Sequence, residues 1–200
     1  MKRSVRGFTL IEIIMVLALM GIATSMGVTV FYKAIDAWSK VETRAELNAK
    51  ASNIFESIRK DLTEAASAKV SGVAVKSAKG VALAAKDAAA AESDILTIPV
   101  STDKGLVSVT YRLAPTEGGG SALARVVGDE KRLPAPNDYV QNSVAALKIE
   151  FLAQEANSNW QPAWDKPVMP AAIRVSMLIS DPDRPYLKIS RKAVFPVKVD

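Results

Sequence analysis

Gly7-Phe8-Thr9-Leu10-Ile11-Glu12 is followed by Ile13 to Tyr32, a run of twenty residues without a charge. The reading of this stretch decides how the chain is organised. About 20 apolar residues in a helix cross the ~30 Å hydrocarbon core of a bilayer, so 13–32 reads as a membrane helix with a carboxylate at its head. An ionisable group costs about 2.5–3.5 kcal/mol at the centre of such a helix and less towards its end. Glu12 therefore needs a partner. If the chain is cut after Gly7, the new α-amine of Phe8 lies four positions before Glu12, on the same helical face. Amine and carboxylate can then pair within one subunit or between neighbours, which makes Glu12 a candidate assembly residue.

Lys2, Arg3 and Arg6 precede the cut. A secretory signal peptide also has a basic start and an apolar core, and Ala23-Thr24-Ser25 offers small residues for cleavage. Its apolar core is about 7–15 residues long, however, shorter than 13–32. A glutamate at its head is also foreign to it.

The ordered set of basic leader, Gly7-Phe8, Glu12 and apolar span resembles the processing site of the type IV pilin superfamily, which includes pilins and pseudopilins. The resemblance implies that a membrane-embedded prepilin peptidase cuts after Gly7, that Phe8 becomes the N-methylated mature terminus, and that Glu12 serves filament assembly. It also implies an α+β pilin-like fold, with a long N-terminal helix packed on an antiparallel β-sheet.

The 26 basic and 21 acidic residues leave a net charge of +5. Three of those cations lie in the leader, so the mature chain carries only +2. The basic excess is mainly a topology signal, which holds the N-terminus in the cytoplasm by the positive-inside rule. The expected location is the bacterial inner membrane, single-pass, with the C-terminal region in the periplasm. Cysteine and histidine are absent, which excludes disulfides, thiol nucleophiles, histidine-based triads and the common zinc sites. Many pilus-forming pilins close a C-terminal loop with a disulfide, so the missing cysteine favours pseudopilins within the resemblance.

The chain divides into a leader (1–7), a transmembrane helix half (8–32), an amphipathic helix half (33–66), an Ala/Lys-rich connection (67–93) and a β-rich periplasmic region (94–200). No proline precedes Pro99, so nothing breaks the helix covalently. Gly21 with Ser25, and Ala23 with Gly27, form small-xxx-small pairs suited to close helix contact. Ile35, Trp38, Val41, Ala45, Phe55, Ile58, Leu62 and Ala65 recur at three- and four-residue steps, with a gap at 48–52, and predict the core stripe. A helix of some fifty-five residues is about 85 Å long. In the connection, Lys69, Lys76, Lys79 and Lys86 share a helical face, but Gly72, Gly80 and several valines disfavour a helix. No aromatic residues interleave there for base stacking, and no nucleic-acid partner is expected.

Beyond Asp94, short β-type runs alternate with turn residues. Strands are expected at 95–100, 106–113, 122–127, 144–153, 172–180 and 188–197, and in the second Val107, Val109, Tyr111 and Leu113 share one face. The pieces Ser57-Ile58-Arg59-Lys60-Asp61-Leu62, Val109-Thr110-Tyr111-Arg112-Leu113, Leu123-Ala124-Arg125, Leu147-Lys148-Ile149-Glu150-Phe151, Trp160, Trp164 and Met169-Pro170-Ala171-Ala172-Ile173-Arg174-Val175 follow in order. This order is similar to that of the J-type minor pseudopilins of type II secretion systems. The similarity implies a structural subunit of the pseudopilus tip, which aids assembly and exoprotein export. Its implied partners are the I- and K-type pseudopilins, then the major subunit, the inner-membrane assembly platform, and the secreted substrate. Trp160 and Trp164 are candidate partner contacts, since buried tryptophans often dominate interfaces. A type IV pilus minor pilin, serving adhesion, motility or DNA uptake, is the alternative.

No catalytic constellation competes, and no enzyme activity, metal or cofactor is expected. Asp129, Glu130 and Asp138 are carboxylates able in principle to do acid/base work, but they read as loop charges. Asp181 and Asp183, flanked by prolines, read as a turn rather than a calcium pair.

Overall fold

The computed structural model describes residues 9–67, 76–81, 92–103, 105–116, 120–129, 131–155, 159–164, 166 and 168–197. Two compact units, Met1–Thr43 and Arg44–Asp200, share one helix, α1 (Leu10–Ser67).

In the first unit the helix is started by Thr9. The Glu12 N–H reaches the Thr9 carbonyl at 3.1 Å and the Thr9 hydroxyl oxygen at 3.4 Å, and Ile13 N–H reaches the same carbonyl at 3.3 Å. Thr9-Leu10-Ile11-Glu12 thus has the Thr-x-x-Glu form of a capping box, with its carboxylate in the first turn where the helix dipole favours negative charge. Further along, the Thr24 hydroxyl donates to Met20 O at 2.8 Å and Thr29 to Ser25 O at 3.0 Å. Each hydroxyl is satisfied by its own helix, which suits it to lipid. Among the described residues, one helix is long and apolar enough to cross a membrane. Its best window has a mean hydropathy of 2.2 and none of it is buried within the protein.

Four positions expected in the core, Ile35, Trp38, Val41 and Ala45, are instead exposed. The buried series starts two residues beyond Ala45: Leu47, Ala51, Ile54, Ile58, Asp61, Leu62 and Ala65. It occupies the supposed gap at 48–52 through Ala51, which is buried in the core. Phe55 is half-buried and meets Phe195, with ring centroids 6.0 Å apart.

The second unit adds two antiparallel sheets where a single sheet was expected. The first contains β1 (Lys76–Val81), β2 (Glu92–Thr102), β3 (Gly105–Pro115), β4 (Ser121–Val127) and β5 (Tyr139–Asn142), in that order. The second contains β6 (Val144–Leu152), β7 (Ala172–Ser180) and β8 (Lys188–Pro196). Strand β1 lies inside the segment expected to be a connection, so Lys76 and Lys79 sit on a strand and not on a basic helix; Lys69 and Lys86 lie outside the described residues. Strand β5 was also not expected, because its four residues follow directly on a proline-rich turn.

Register decides which residues meet the helix. Leu96 pairs with Tyr111 and Ile98 with Val109, while Tyr111 also pairs with Arg125 and Leu113 with Leu123. These residues share one face of the first sheet, and all but Arg125 are buried. In the second sheet Ile149 pairs with Val175, Phe151 with Ile173, and Ile173 with Phe195. Both faces contribute to one hydrophobic core with the buried helix series. The sheets are joined by polar ties. The Asp94 carboxylate accepts the Ile149 N–H at 2.7 Å, and the Ser121 hydroxyl donates to Val144 O. β8 ends the second sheet and, among the described residues, has only β7 as neighbour; its Lys188, Arg191 and Lys192 are exposed.

Candidate functional site

Gly7 and Phe8 lie outside the described residues. Glu12 is described, exposed in the first turn of α1. Its backbone N–H is held by Thr9, and its carboxylate sits in the first turn, where the helix dipole favours a negative charge. The signal for this helix start, Thr-x-x-Glu before an apolar run, was readable.

The most constrained polar group lies elsewhere. Asp61 is 2% exposed, on the helix face that meets the first sheet. Its Oδ1 accepts from the Arg125 guanidinium at 2.7 Å, and its Oδ2 from Arg125 Nε at 2.9 Å and from the Tyr111 hydroxyl at 2.6 Å. A two-pronged guanidinium–carboxylate pair fixes direction as well as distance, so this clamp sets the register of helix against sheet. Alternation placed Tyr111 inward, but the partner of its hydroxyl was missed. A tyrosine aimed at a core needs one, and the nearest acid on the inward helix series is Asp61.

Burial, with the neighbouring Asp61 carboxylate as acceptor, pushes the Tyr111 hydroxyl far above its ordinary range. The same carboxylate, hydrogen-bonded to Arg125, strengthens that side chain's hold on its proton. An unfolded tyrosine ionises near pH 10. Its raised value in the folded chain means that the associated stability is complete below about pH 10. Above that it is lost, because the unfolded chain releases a proton the folded chain retains. Stability is therefore expected to fall more steeply above pH 10 in the natural chain than in Tyr111→Phe. Urea unfolding of the full chain in detergent, followed by tryptophan emission, measures both slopes; equal slopes would remove Tyr111 from the account.

The two tryptophans have different settings. Trp164 is 2% exposed, stacks near Phe151 at 6.1 Å between centroids, and donates from Nε1 to Val168 O at 2.8 Å. It is a core residue whose indole is almost wholly covered. Trp160 is half-buried and covers Arg174, whose guanidinium carbon is 3.7 Å from the ring centre. Arg174 in turn donates to Glu150 at 3.1 Å, which also takes Lys148 at 3.1 Å. Burial of Glu150 works against its charge, but the bonds from Arg174 and Lys148 prevail and hold its carboxyl below the usual range.

Asp129 and Asp138 serve turns. Asp138 binds Arg132 at 2.9 Å and accepts the Ala135 N–H at 2.6 Å; the Arg132 bond holds its carboxyl below the ordinary range. Asp129 accepts the Lys131 N–H at 2.9 Å, and Arg112 donates to Arg132 O. Glu130 lies outside the described residues. Asp181 accepts the N–H groups of Asp183 and Arg184 at 2.8 and 3.1 Å, an Asx-type turn. Among the described residues no three Asp or Glu side chains gather as a metal site.

What remains is a chain with a distinctive start, a lipid-compatible helix and a rigidly keyed body. Residues 2–28 match the prokaryotic N-terminal methylation motif. The motif supports a type IV pilin-like protein, of a structural kind that a prepilin peptidase processes and that assembles into pilus-like filaments. With the single N-terminal apolar helix, it fits a membrane-anchored protein. No curated protein matches the chain.

Proposed function

We propose that this pilin-like chain is a minor pseudopilin of a type II secretion system, a structural subunit at the pseudopilus tip. The observation that carries the reading is the ordered set of body residues. Tyr111 and Arg125 come from adjacent strands and close on Asp61 of the helix, while Phe151, Trp164 and Ile173 and Val175 of β7 belong to the same core. The quoted pieces act together in one folded unit, in the order that J-type pseudopilins share. The absence of cysteine supports the same choice. In this reading the leader is cytoplasmic and the body periplasmic. I- and K-type pseudopilins are the neighbours, the major subunit joins beneath, and Trp160 is the tryptophan placed to touch a partner or exported protein.

Processing should leave a mature chain that begins with N-methylated Phe8, whose amine pairs with Glu12 in the membrane. Co-expression with a prepilin peptidase followed by intact-mass measurement checks this. Gly7→Lys, which puts a long charged side chain at the cut, is expected to leave the full-length chain uncut. A mature terminus at any residue other than Phe8 would refute the assignment.

An in-frame deletion in the native host, scored for exoprotein release and for pili in parallel, tests the function. Loss of secretion with intact pili, restored by complementation, is expected. Intact secretion with lost piliation or DNA uptake would make the protein a type IV pilus minor pilin instead.

A further inference from the structure

The apolar surface of α1 does not stop with the charge-free run. Phe31, Ile35 and Trp38 are 65%, 49% and 72% exposed, and at 100° per residue they fall within about 60° of arc. Lys33, Asp36 and Lys40 occupy the opposite side, where Asp36 and Lys40 form an ion pair of 2.7 Å. Glu42 returns to the arc of Trp38 and ends the stripe. This short segment is therefore amphipathic, and its apolar side continues directly from a surface suited to lipid.

From these facts we infer that Trp38 is a lipid-interface anchor: its indole lies in the headgroup layer, with α1 tilted towards the Phe31–Ile35–Trp38 side. The inference rests on the membrane-anchored reading of the helix. Trp38 is 25 residues beyond Ile13, about 38 Å along a helix. With the usual tilt of about 20° that is about 35 Å along the membrane normal. The hydrocarbon core is ~30 Å thick and the whole bilayer about 40–45 Å. With Ile13 at one boundary, Trp38 lies about 5 Å outside the other, where tryptophan is enriched because its ring is apolar and its N–H polar. Val41 falls about 10 Å outside, beyond the headgroups, which agrees with a stripe that ends at Glu42. Tilt towards Trp38 lowers its ring into the interface and raises the Asp36–Lys40 pair towards water, as an interfacial segment requires.

The full chain reconstituted in lipid vesicles provides the test, with bromine quenchers placed either near the glycerol ends or near the middle of the acyl chains. Tryptophan emission is expected to be quenched more by the shallow bromines. Trp38→Phe should lose that component and leave the signal of Trp160 and Trp164. A second variant, Ile22→Trp in the Trp38→Phe background, reports on the span itself and should be quenched most by deep bromines. If the indole introduced at position 22 is quenched while Trp38 is not, or if Trp38 responds more to deep bromines, the anchor is overturned and the span stands. If neither is quenched, the membrane reading fails and takes the anchor with it.

Discussion

Asp61→Ala is expected to destabilise the second unit by about 3–5 kcal/mol, the usual cost of removing one member of a buried ion pair. The substitution would leave the Arg125 guanidinium and the Tyr111 hydroxyl without the carboxylate that now takes three hydrogen bonds from them. Arg125 keeps 32% of its side chain exposed, so water can reach part of it and the lower figure is the better expectation. Urea unfolding of the full chain in detergent, read by the emission of Trp164, gives the value. A loss below about 1 kcal/mol would mean that the clamp behaves like a pair on the surface. The triple change Asp61→Leu, Arg125→Met, Tyr111→Phe separates attraction from desolvation. Because all polar partners leave together, it should be more stable than Asp61→Ala alone. A triple variant less stable than the single one would instead show a net attraction that apolar packing cannot replace.

Phe151→Ala is the second large effect, again about 3–5 kcal/mol. Phe151 is fully buried, pairs with Ile173 across β6 and β7, and packs on the Trp164 ring. Its backbone also exchanges two 2.8 Å hydrogen bonds with Gln161, which hold the tryptophan-bearing segment against β6. Loss of the ring opens a cavity under that segment, and the surrounding strands can collapse only partly into it. Trp164 emission should shift to the red as water reaches the site, and Phe151→Leu should restore most of the stability. An unshifted emission with a loss below about 1 kcal/mol would show that the segment is held by its backbone bonds alone.

Local pattern carried much of this architecture. The six expected strands agree closely with β2, β3, β4, β6, β7 and β8, since each has β-branched or aromatic residues bounded by turn residues. The alternation of Val107, Val109, Tyr111 and Leu113 placed the inward face correctly. The helix was legible in extent, and its inward face was legible at Phe55, Ile58, Leu62 and Ala65 but not before them. Trp38 and Val41 repeat at core spacing, yet the residues that meet the sheets are Leu47, Ala51 and Ile54, and the small Ala51 scores weakly in any hydrophobic reading. The clamp was illegible for another reason. Asp61 and Arg125 are 64 residues apart, and no local pattern pairs the one with the other. Trp160 and Trp164 looked alike in sequence; only the path of their segment turns one into the core and lays the other over Arg174.

The exposed Lys188, Arg191 and Lys192 on β8 have a consequence for crowding. Chains held in one membrane diffuse in two dimensions and collide far more often than free ones. An open strand edge invites a second edge to pair with it, and such pairing is the start of aggregation. Here two such edges would bring six cations together, so accidental β-pairing between anchored copies is resisted by charge, and high salt should weaken that resistance.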